Sequence, residues 1–153
     1  MAIPNPVASE ATGDAARFVR AFAEFWDNPT AERFRALMHP DVRLVQPLAP
    51  PANGIEEAVA WFTATQDLLP DIRIAVRGWS GTPDLLFIEW TATATFGGRP
   101  VSWNAVDRFR LEDGLVRERV AYFDALPLVG TILARPVGWP HALRARLVGR
   151  RAV

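Results

Sequence analysis

The chain has 153 residues, of which 50% are hydrophobic and 22% are charged, which is enough for one globular domain with its own core. Its 17 basic residues, all of them arginine, balance 17 acidic residues, so the formal net charge is zero. A domain that binds nucleic acid through bulk positive charge is therefore excluded. The absence of cysteine also excludes disulfides, zinc–thiolate sites and cysteine nucleophiles.

The composition also gives an expectation for the compartment. No apolar run is long enough to span a bilayer, and residues 1–13 have neither the basic start nor the apolar centre of a signal peptide. We therefore expect a cytoplasmic protein that begins with a flexible arm over residues 1–13. The absence of lysine among many alanines and prolines is typical of a GC-rich bacterial genome.

Helical spacing of apolar side chains predicts three helices in the first half of the chain, at residues 15–26, 31–38 and 55–69. Asp14 and Thr30 are the expected N-caps of the first two, because their side-chain oxygens can accept hydrogen bonds from the first turn. Between the second and third helices, the sequence predicts a turn at 39–41 and a short strand over 42–46.

Alternating polar and apolar residues predict four strands in the second half, at residues 72–79, 85–96, 103–111 and 115–124. A further helical stretch begins at Pro127 and is interrupted at Pro136. Helices followed by an antiparallel meander indicate an α+β fold, in which a curved antiparallel sheet carries the helices on one face.

The hairpin over residues 103–124 is the most informative segment for function. Asp113 and Gly114 lie between two alternating runs, which is a strong indication of a tight turn. Alternation places Asp107 in an otherwise apolar row, together with Trp103, Ala105, Phe109 and Leu111. A carboxylate in such a row needs a partner, because burying an unpaired charge is costly.

Two registers of this hairpin remain open, and they give Asp107 different neighbours. With a two-residue turn Asp107 lies opposite Val120, on a face shared with Val116, Glu118, Tyr122 and Asp124. With a three-residue loop and a glycine bulge, Asp107 lies opposite Arg119, on a face shared with Ala121 and Phe123. A slip of one residue exchanges the two sets of side chains.

Several other side chains are candidates for a site. Asp124 is either the N-cap of the following helix or a general acid/base. Four of the six tryptophans lie on elements that would line a pocket: Trp26, Trp61, Trp90 and Trp103. His39 and His141 are far apart in a chain without cysteine, so we expect neither a metal site nor a cofactor.

Three short motifs and their order resemble the nuclear transport factor 2-like superfamily, which includes ketosteroid isomerase and the SnoaL-like polyketide cyclases. The motifs are ALMHPDV at 36–42 followed by QP at 46–47, VDRFR at 106–110, and YFD at 122–124. The resemblance covers roughly residues 15–128. It implies a cone of the cystatin-like α+β barrel type, whose sheet surrounds a pocket beneath the N-terminal helices. It also implies a homodimer.

Active-site residues of the superfamily can be carried over only where this chain matches them. The general base of ketosteroid isomerase falls on Gln46 and its oxyanion-hole tyrosine on Phe22, whereas its second oxyanion donor matches Asp107. The Arg-x-Asp pair of limonene-epoxide-hydrolase-like members falls on WTA at 90–92. The acid of the SnoaL-like cyclases matches Asp124. The cyclases are therefore the analogue that the residues contradict least.

The resemblance also favours the bulged hairpin, in which Asp107 forms an ion pair with Arg119 on the pocket wall. The expected function is isomerase, cyclase or lyase chemistry on a flat apolar carbonyl compound, in which Asp107 or Asp124 transfers a proton and Arg119 stabilises the oxyanion. The side chains expected to contact the ligand are Phe22, Trp26, Gln46, Trp61, Trp90, Trp103, Ala121 and Phe123. The alternative is a non-catalytic ligand-binding or dimerisation domain of the same fold.

The domain boundaries that follow are a SnoaL-like cone domain over 14–128 and a helical, arginine-rich tail over 129–153. From Arg135 onward the tail contains five arginines and no acid. Trp139, Leu143 and Leu147 form an apolar stripe at helical spacing. We expect this tail to pack over the pocket mouth rather than to contact a membrane.

Overall fold

The computed structural model describes residues 8–134 of the chain and shows helices on one side of a single sheet. The elements in chain order are α1 (Ala8–Phe25), α2 (Ala31–Leu37), β1 (Met38–Val45), β2 (Ala52–Asn53), α3 (Ile55–Leu68), β3 (Arg73–Thr82), β4 (Leu85–Phe96), β5 (Arg99–Glu112), β6 (Leu115–Tyr122) and α4 (Ala125–Leu133). The predicted α+β fold is confirmed.

The strand order is β2-β1-β6-β5-β4-β3, and over residues 8–134 the sheet does not close on itself. Neighbouring strands are antiparallel with one exception, because β1 runs parallel to β6. The prediction of an antiparallel sheet is therefore wrong at this junction, and the sheet is mixed. The arrangement is consistent with an open α+β cone rather than with a closed barrel.

We call the helix-covered side of the sheet its inner face and the opposite side its outer face. On β4 the even-numbered side chains from Leu86 to Phe96 are buried on the inner face and the odd-numbered ones are more exposed. From α1, the rings of Phe18 and Phe22 pack edge-on against Phe109 of β5, with centroids 5.2 and 5.6 Å away. The apolar stripe of α1 thus covers the centre of the sheet.

Two local predictions are wrong, and one short strand was not predicted. The first helix begins at Ala8, within the predicted arm, so Asp14 lies inside α1 and pairs with Arg17 instead of capping the helix. Residues 39–41 are part of β1 rather than a turn, and His39 accepts a hydrogen bond from the Asp41 backbone N–H. The short strand β2 is absent from the prediction because two residues carry no periodicity.

The β5–β6 hairpin combines parts of both predicted registers. Asp113 and Gly114 both have positive φ, 51° and 78°, which forms the two-residue turn and makes the three-residue loop wrong. Arg110 nevertheless pairs with Glu118 while Leu111 pairs with Val116, so one extra residue bulges out of β6. Beyond this bulge, the inner face carries Arg119 and Ala121 and the outer face carries Glu118 and Tyr122.

Of the predictions for the C-terminal part, some fall within the described residues and others fall outside them. α4 ends at Leu133 and begins after Asp124, whose side chain accepts a hydrogen bond from the backbone N–H of Leu126 at 3.0 Å. The helix-cap interpretation of Asp124 is therefore confirmed. The second helical piece after Pro136 and the apolar stripe of the arginine-rich tail lie outside the described residues.

A carboxylate just before β3 forms a hydrogen bond with the end of β4 and provides a test of this edge of the sheet. Asp71 accepts a hydrogen bond from the backbone N–H of Thr95 at 2.9 Å, and hydrogen bonds from Thr95 lower the pKa of Asp71 below its ordinary value. The stabilising contribution of Asp71 is therefore fully present at pH values above its ordinary pKa. It is lost as the pH falls through the lowered pKa. We expect Asp71→Asn, which keeps an acceptor oxygen, to lose less stability than the wild type on acidification.

The measurement is urea unfolding of both proteins at about pH 5 and about pH 3, on either side of the ordinary range for aspartate. Asp84→Asn, an exposed aspartate in the β3–β4 turn, is the control and should retain the wild-type pH dependence. Equal pH dependence in Asp71→Asn and the wild type would rule out this role for Asp71.

Candidate functional site

The centre of the inner face contains a buried ion pair. Asp107 on β5 is fully buried, at 0% exposure. Arg119 on β6 donates to both of its carboxylate oxygens, from Nε to Oδ2 at 2.7 Å and from Nη2 to Oδ1 at 3.0 Å. A bidentate contact of this kind joins the planar guanidinium to both oxygens of the carboxyl group and fixes their relative orientation. The predicted ion pair is confirmed, although Ala121 rather than Arg119 lies directly opposite Asp107.

An indole ring from α3 completes the surroundings of Arg119. The guanidinium carbon lies 5.6 Å from the centroid of the Trp61 ring, within the range of a cation–π contact. Arg119 is thus held between a carboxylate of the sheet and an aromatic face of the helix. Two of its five N–H groups donate to Asp107, and the other three have no acceptor within residues 8–134.

The strand register brings two further predicted residues close to this pair. Val45, the last residue of β1, pairs with Val120 of β6, and the half-buried Gln46 follows directly. Ala121 pairs with Asp107. Gln46 thus directly follows the β1 residue that pairs with Val120, one position before the Ala121–Asp107 pair, so the three predicted residues lie at the same end of neighbouring strands.

Two of the predicted tryptophans are neighbours on the inner face. Trp90 on β4 pairs with Ala105 and Ala92 pairs with Trp103 on β5, which makes the two indoles diagonal neighbours. The Nε1 atoms of both are buried and have no hydrogen-bond partner in the described part of the chain. An unpaired buried N–H costs free energy, so an oxygen atom that reached these groups would be stabilising.

Two more orphaned donors lie where α1 and α3 meet. Trp26, in the turn after α1, packs on Phe62 of α3 with ring centroids 6.5 Å apart, and its Nε1 is buried without a partner. The same holds for Nε2 of Gln66, one helical turn beyond Phe62. Sequence reasoning missed Gln66, although an amide one turn from a buried phenylalanine is the pattern that would reveal it.

The remaining predicted residues lie at the edges of this arrangement or within the core. Phe22 packs against Phe109 as part of the hydrophobic core. Phe123 is half-buried against that core, directly after β6. Asp124 is exposed at the start of α4, and its carboxylate caps that helix. Of the two predicted carboxylates, the structure places only Asp107 within the inner face.

Neither metal coordination nor a membrane span is visible in the part of the chain that the structure describes. Among residues 8–134 no group of three or more histidine or acidic side chains is placed to hold a metal ion. No helix in that range is long and apolar enough to cross a membrane.

With this fold and geometry established, sequence comparison identifies the family. The chain belongs to the SnoaL-like domain family, whose model matches residues 19–119, about two thirds of the chain. No curated protein matches the sequence significantly.

Many solved structures share the fold. A protein from Jannaschia sp. CCS1 described as a SnoaL-like polyketide cyclase has a TM-score of 0.71 at 19% identity, covering 86% of this chain and 97% of its own. TerC, co-crystallised with polyporic acid, has a TM-score of 0.65 at 20% identity over 76% and 96%. An epoxide hydrolase of the LEH-like type from M. tuberculosis has a TM-score of 0.67 at 18% identity over 85% and 96%. These likenesses establish the fold and leave the activity to be argued from the residues.

The burial of the ion pair predicts a large stability effect. Replacing Arg119 by methionine keeps the aliphatic stem but leaves the Asp107 carboxylate buried without a cation, which costs about 3–5 kcal/mol of unfolding free energy. Adding Asp107→Asn to Arg119→Met removes the buried charge, so the double variant should recover most of that loss. Urea unfolding of the wild type, both single variants and the double variant measures the coupling. A loss below about 1 kcal/mol in Arg119→Met, as for a surface pair, would contradict a desolvated ion pair.

Proposed function

We propose that the inner face binds a flat, largely apolar molecule that carries carbonyl or hydroxyl oxygen atoms. The observation that carries this proposal is that two buried groups of this face without a hydrogen-bond partner are donors rather than acceptors. Among the described residues of the inner face, the Nε1 atoms of Trp90 and Trp103 are buried donors without a hydrogen-bond partner, and Arg119 has further N–H groups to offer. A molecule that fits these groups must supply acceptors. The rings of Trp90 and Trp103 favour a flat aromatic framework.

The chemistry that this site supports best is proton transfer next to a carbonyl group. Asp107 is a carboxylate, and each of its oxygens retains a lone pair beyond the one that Arg119 occupies. It would remove a proton from the carbon next to the carbonyl, whose C–H electrons form the enolate, while Arg119 donates to the enolate oxygen. Return of that proton to another carbon is an isomerisation. Attack of the enolate carbon on a second carbonyl closes a ring, and the proton then neutralises the new alkoxide.

A second candidate function is ligand binding without catalysis. Two observations favour it. Gln46 lies where the resemblance to ketosteroid isomerase would require a basic carboxylate, and both oxygens of Asp107 already accept hydrogen bonds from Arg119. A carboxylate with both oxygens in contact with a guanidinium has fewer lone pairs left to accept a proton from a bound molecule.

The first test measures binding of polyporic acid, a flat probe already crystallised with a protein of this fold. We expect saturable binding by calorimetry, and we expect Trp103→Phe to weaken it about three- to tenfold, the value of one hydrogen bond. Phenylalanine keeps the aromatic ring and removes the N–H group. Trp79→Phe, at an exposed position on β3, is the matched control. Absence of saturable binding would refute the proposal.

A hydrogen-exchange experiment on the same protein preparation distinguishes a catalytic function from ligand binding without catalysis. In D2O, a proton-transfer enzyme should incorporate deuterium next to the carbonyl of a flat ketone such as α-tetralone, as followed by NMR. Asp107→Asn should abolish this exchange and retain binding. If the wild type binds the ketone and catalyses no exchange, the non-catalytic function replaces the catalytic one.

A homodimer is the quaternary structure we propose. On the outer face, the exposed side chains of Phe87, Val106 and Tyr122 lie on adjacent strands, with Val106 paired directly to Tyr122. Contiguous exposed apolar side chains are typical of association sites. Light scattering should give the mass of a dimer for the wild type and of a monomer for Phe87→Asp/Tyr122→Asp, with Leu48→Asp in the β1–β2 loop as the control. A monomeric wild type would contradict this assignment.

A further inference from the structure

A glutamine lies on the buried side of α3. Ala58, Phe62 and Gln66 are spaced four residues apart, so they share one face of the helix. Ala58 and Phe62 are 0% and 2% exposed, which means that this face points into the interior between the helices and the sheet. The exposed side of α3 carries Thr63 and Asp67 instead. The amide of Gln66 is therefore directed inward, and its Nε2 atom is buried without a hydrogen-bond partner in the described part of the chain.

Trp26 places a second donor beside the same phenylalanine. The centroid of its indole ring lies 6.5 Å from that of Phe62 and 5.0 Å from that of Phe25. Its Nε1 atom is buried and also lacks a partner among residues 8–134. Because side chains four residues apart on a helix are neighbours, Gln66 and Trp26 both adjoin Phe62. We call the Nε1 atom of Trp26 and the Nε2 atom of Gln66 the helix-side donors.

The path of α3 places Gln66 over the strands that carry the tryptophans of the proposed site. The helix begins one residue after β2 and ends four residues before β3, and these are the two edge strands of the sheet. At about 1.5 Å per helical residue and about 4.8 Å per strand, Trp61 lies over β6 and Gln66 over β5 and β4. The 5.6 Å contact between Trp61 and the guanidinium carbon of Arg119 on β6 agrees with the first position. β5 and β4 carry Trp103 and Trp90.

We propose that the helix-side donors bind a second carbonyl oxygen of the molecule that occupies the inner face. This inference rests on the proposed function and specifies its ligand as a flat compound with acceptor oxygens on two separate edges, such as a para-quinone. A carbonyl oxygen has two lone pairs and accepts from both donors. A compound with one carbonyl group binds it at Arg119, because a hydrogen bond from a charged donor is the stronger one. It leaves the helix-side donors unpaired, and a site with unpaired buried groups discriminates against such an analogue.

Calorimetric binding of two compounds with the same bicyclic frame tests the inference. These are α-tetralone, with one carbonyl group, and 1,4-naphthoquinone, with two. The chain has neither cysteine nor lysine, the side chains that add most readily to quinones, so reversible binding is measured. We expect the wild type to bind the quinone at least about tenfold more tightly than the ketone, the value of two ordinary hydrogen bonds.

Two variants remove the helix-side donors one at a time. Gln66→Met keeps the length of the side chain, and Trp26→Phe keeps an aromatic ring. Each should lower the preference for the quinone about threefold, the value of one hydrogen bond, and leave the affinity for the ketone unchanged. Thr63→Val, on the exposed side of α3, is the matched control and should leave both affinities unchanged.

Urea unfolding checks that the variants are folded. Gln66→Met should unfold at no lower urea concentration than the wild type, because the N–H group that it removes has no partner to lose. The inference is overturned if both variants keep the wild-type preference for the quinone, or if they weaken both compounds equally. Binding of polyporic acid that Trp103→Phe weakens would then leave the proposed function standing. If the wild type binds neither these compounds nor polyporic acid, the proposed function fails and this inference fails with it.

Discussion

A buried carboxylate at the centre of the sheet imposes the condition on which the rest of this structure depends. Asp107 is fully buried on β5, where an ionised group is tolerated only beside a cation that also satisfies its hydrogen bonds. Arg119 meets both requirements from the next strand. It does so because the extra residue in β6 turns the following side chains over. Without that bulge Arg119 would lie on the outer face, so the ion pair and the strand register require each other.

The parts of the fold that were predictable from sequence are those with strong local patterns. The helix over 55–69 and the strand over 85–96 match α3 and β4 to within one residue, because long periodic runs end at proline or glycine. The parallel pairing of β1 with β6 could not be predicted, since alternation shows that a strand exists and not which strand lies beside it. The bulge was misplaced because Asp113-Gly114 fits a two-residue turn and a longer loop equally well.

The candidate site was predictable in part for a similar reason. A carboxylate in an apolar row requires a partner, and the resemblance to the superfamily favoured the hairpin register in which Arg119 is that partner for Asp107. Hydrogen-bond satisfaction, in contrast, depends on the complete three-dimensional environment. The orphaned N–H groups of Trp90, Trp103 and Gln66 therefore appear only in the structure. They indicate what kind of molecule fits. The fold alone does not indicate the ligand, because proteins described as a SnoaL-like polyketide cyclase and as an epoxide hydrolase share it.

In the proposed function, the buried indole donors of the inner face meet acceptor oxygens of a bound molecule. The most direct measurement is the ¹⁵N–¹H NMR spectrum of the tryptophan indoles during titration with polyporic acid. We expect the Nε1–H signals of Trp90 and Trp103 to move downfield as hydrogen bonds form, while that of the exposed Trp79 stays in place. Saturable binding that leaves both buried indole signals unmoved would contradict it.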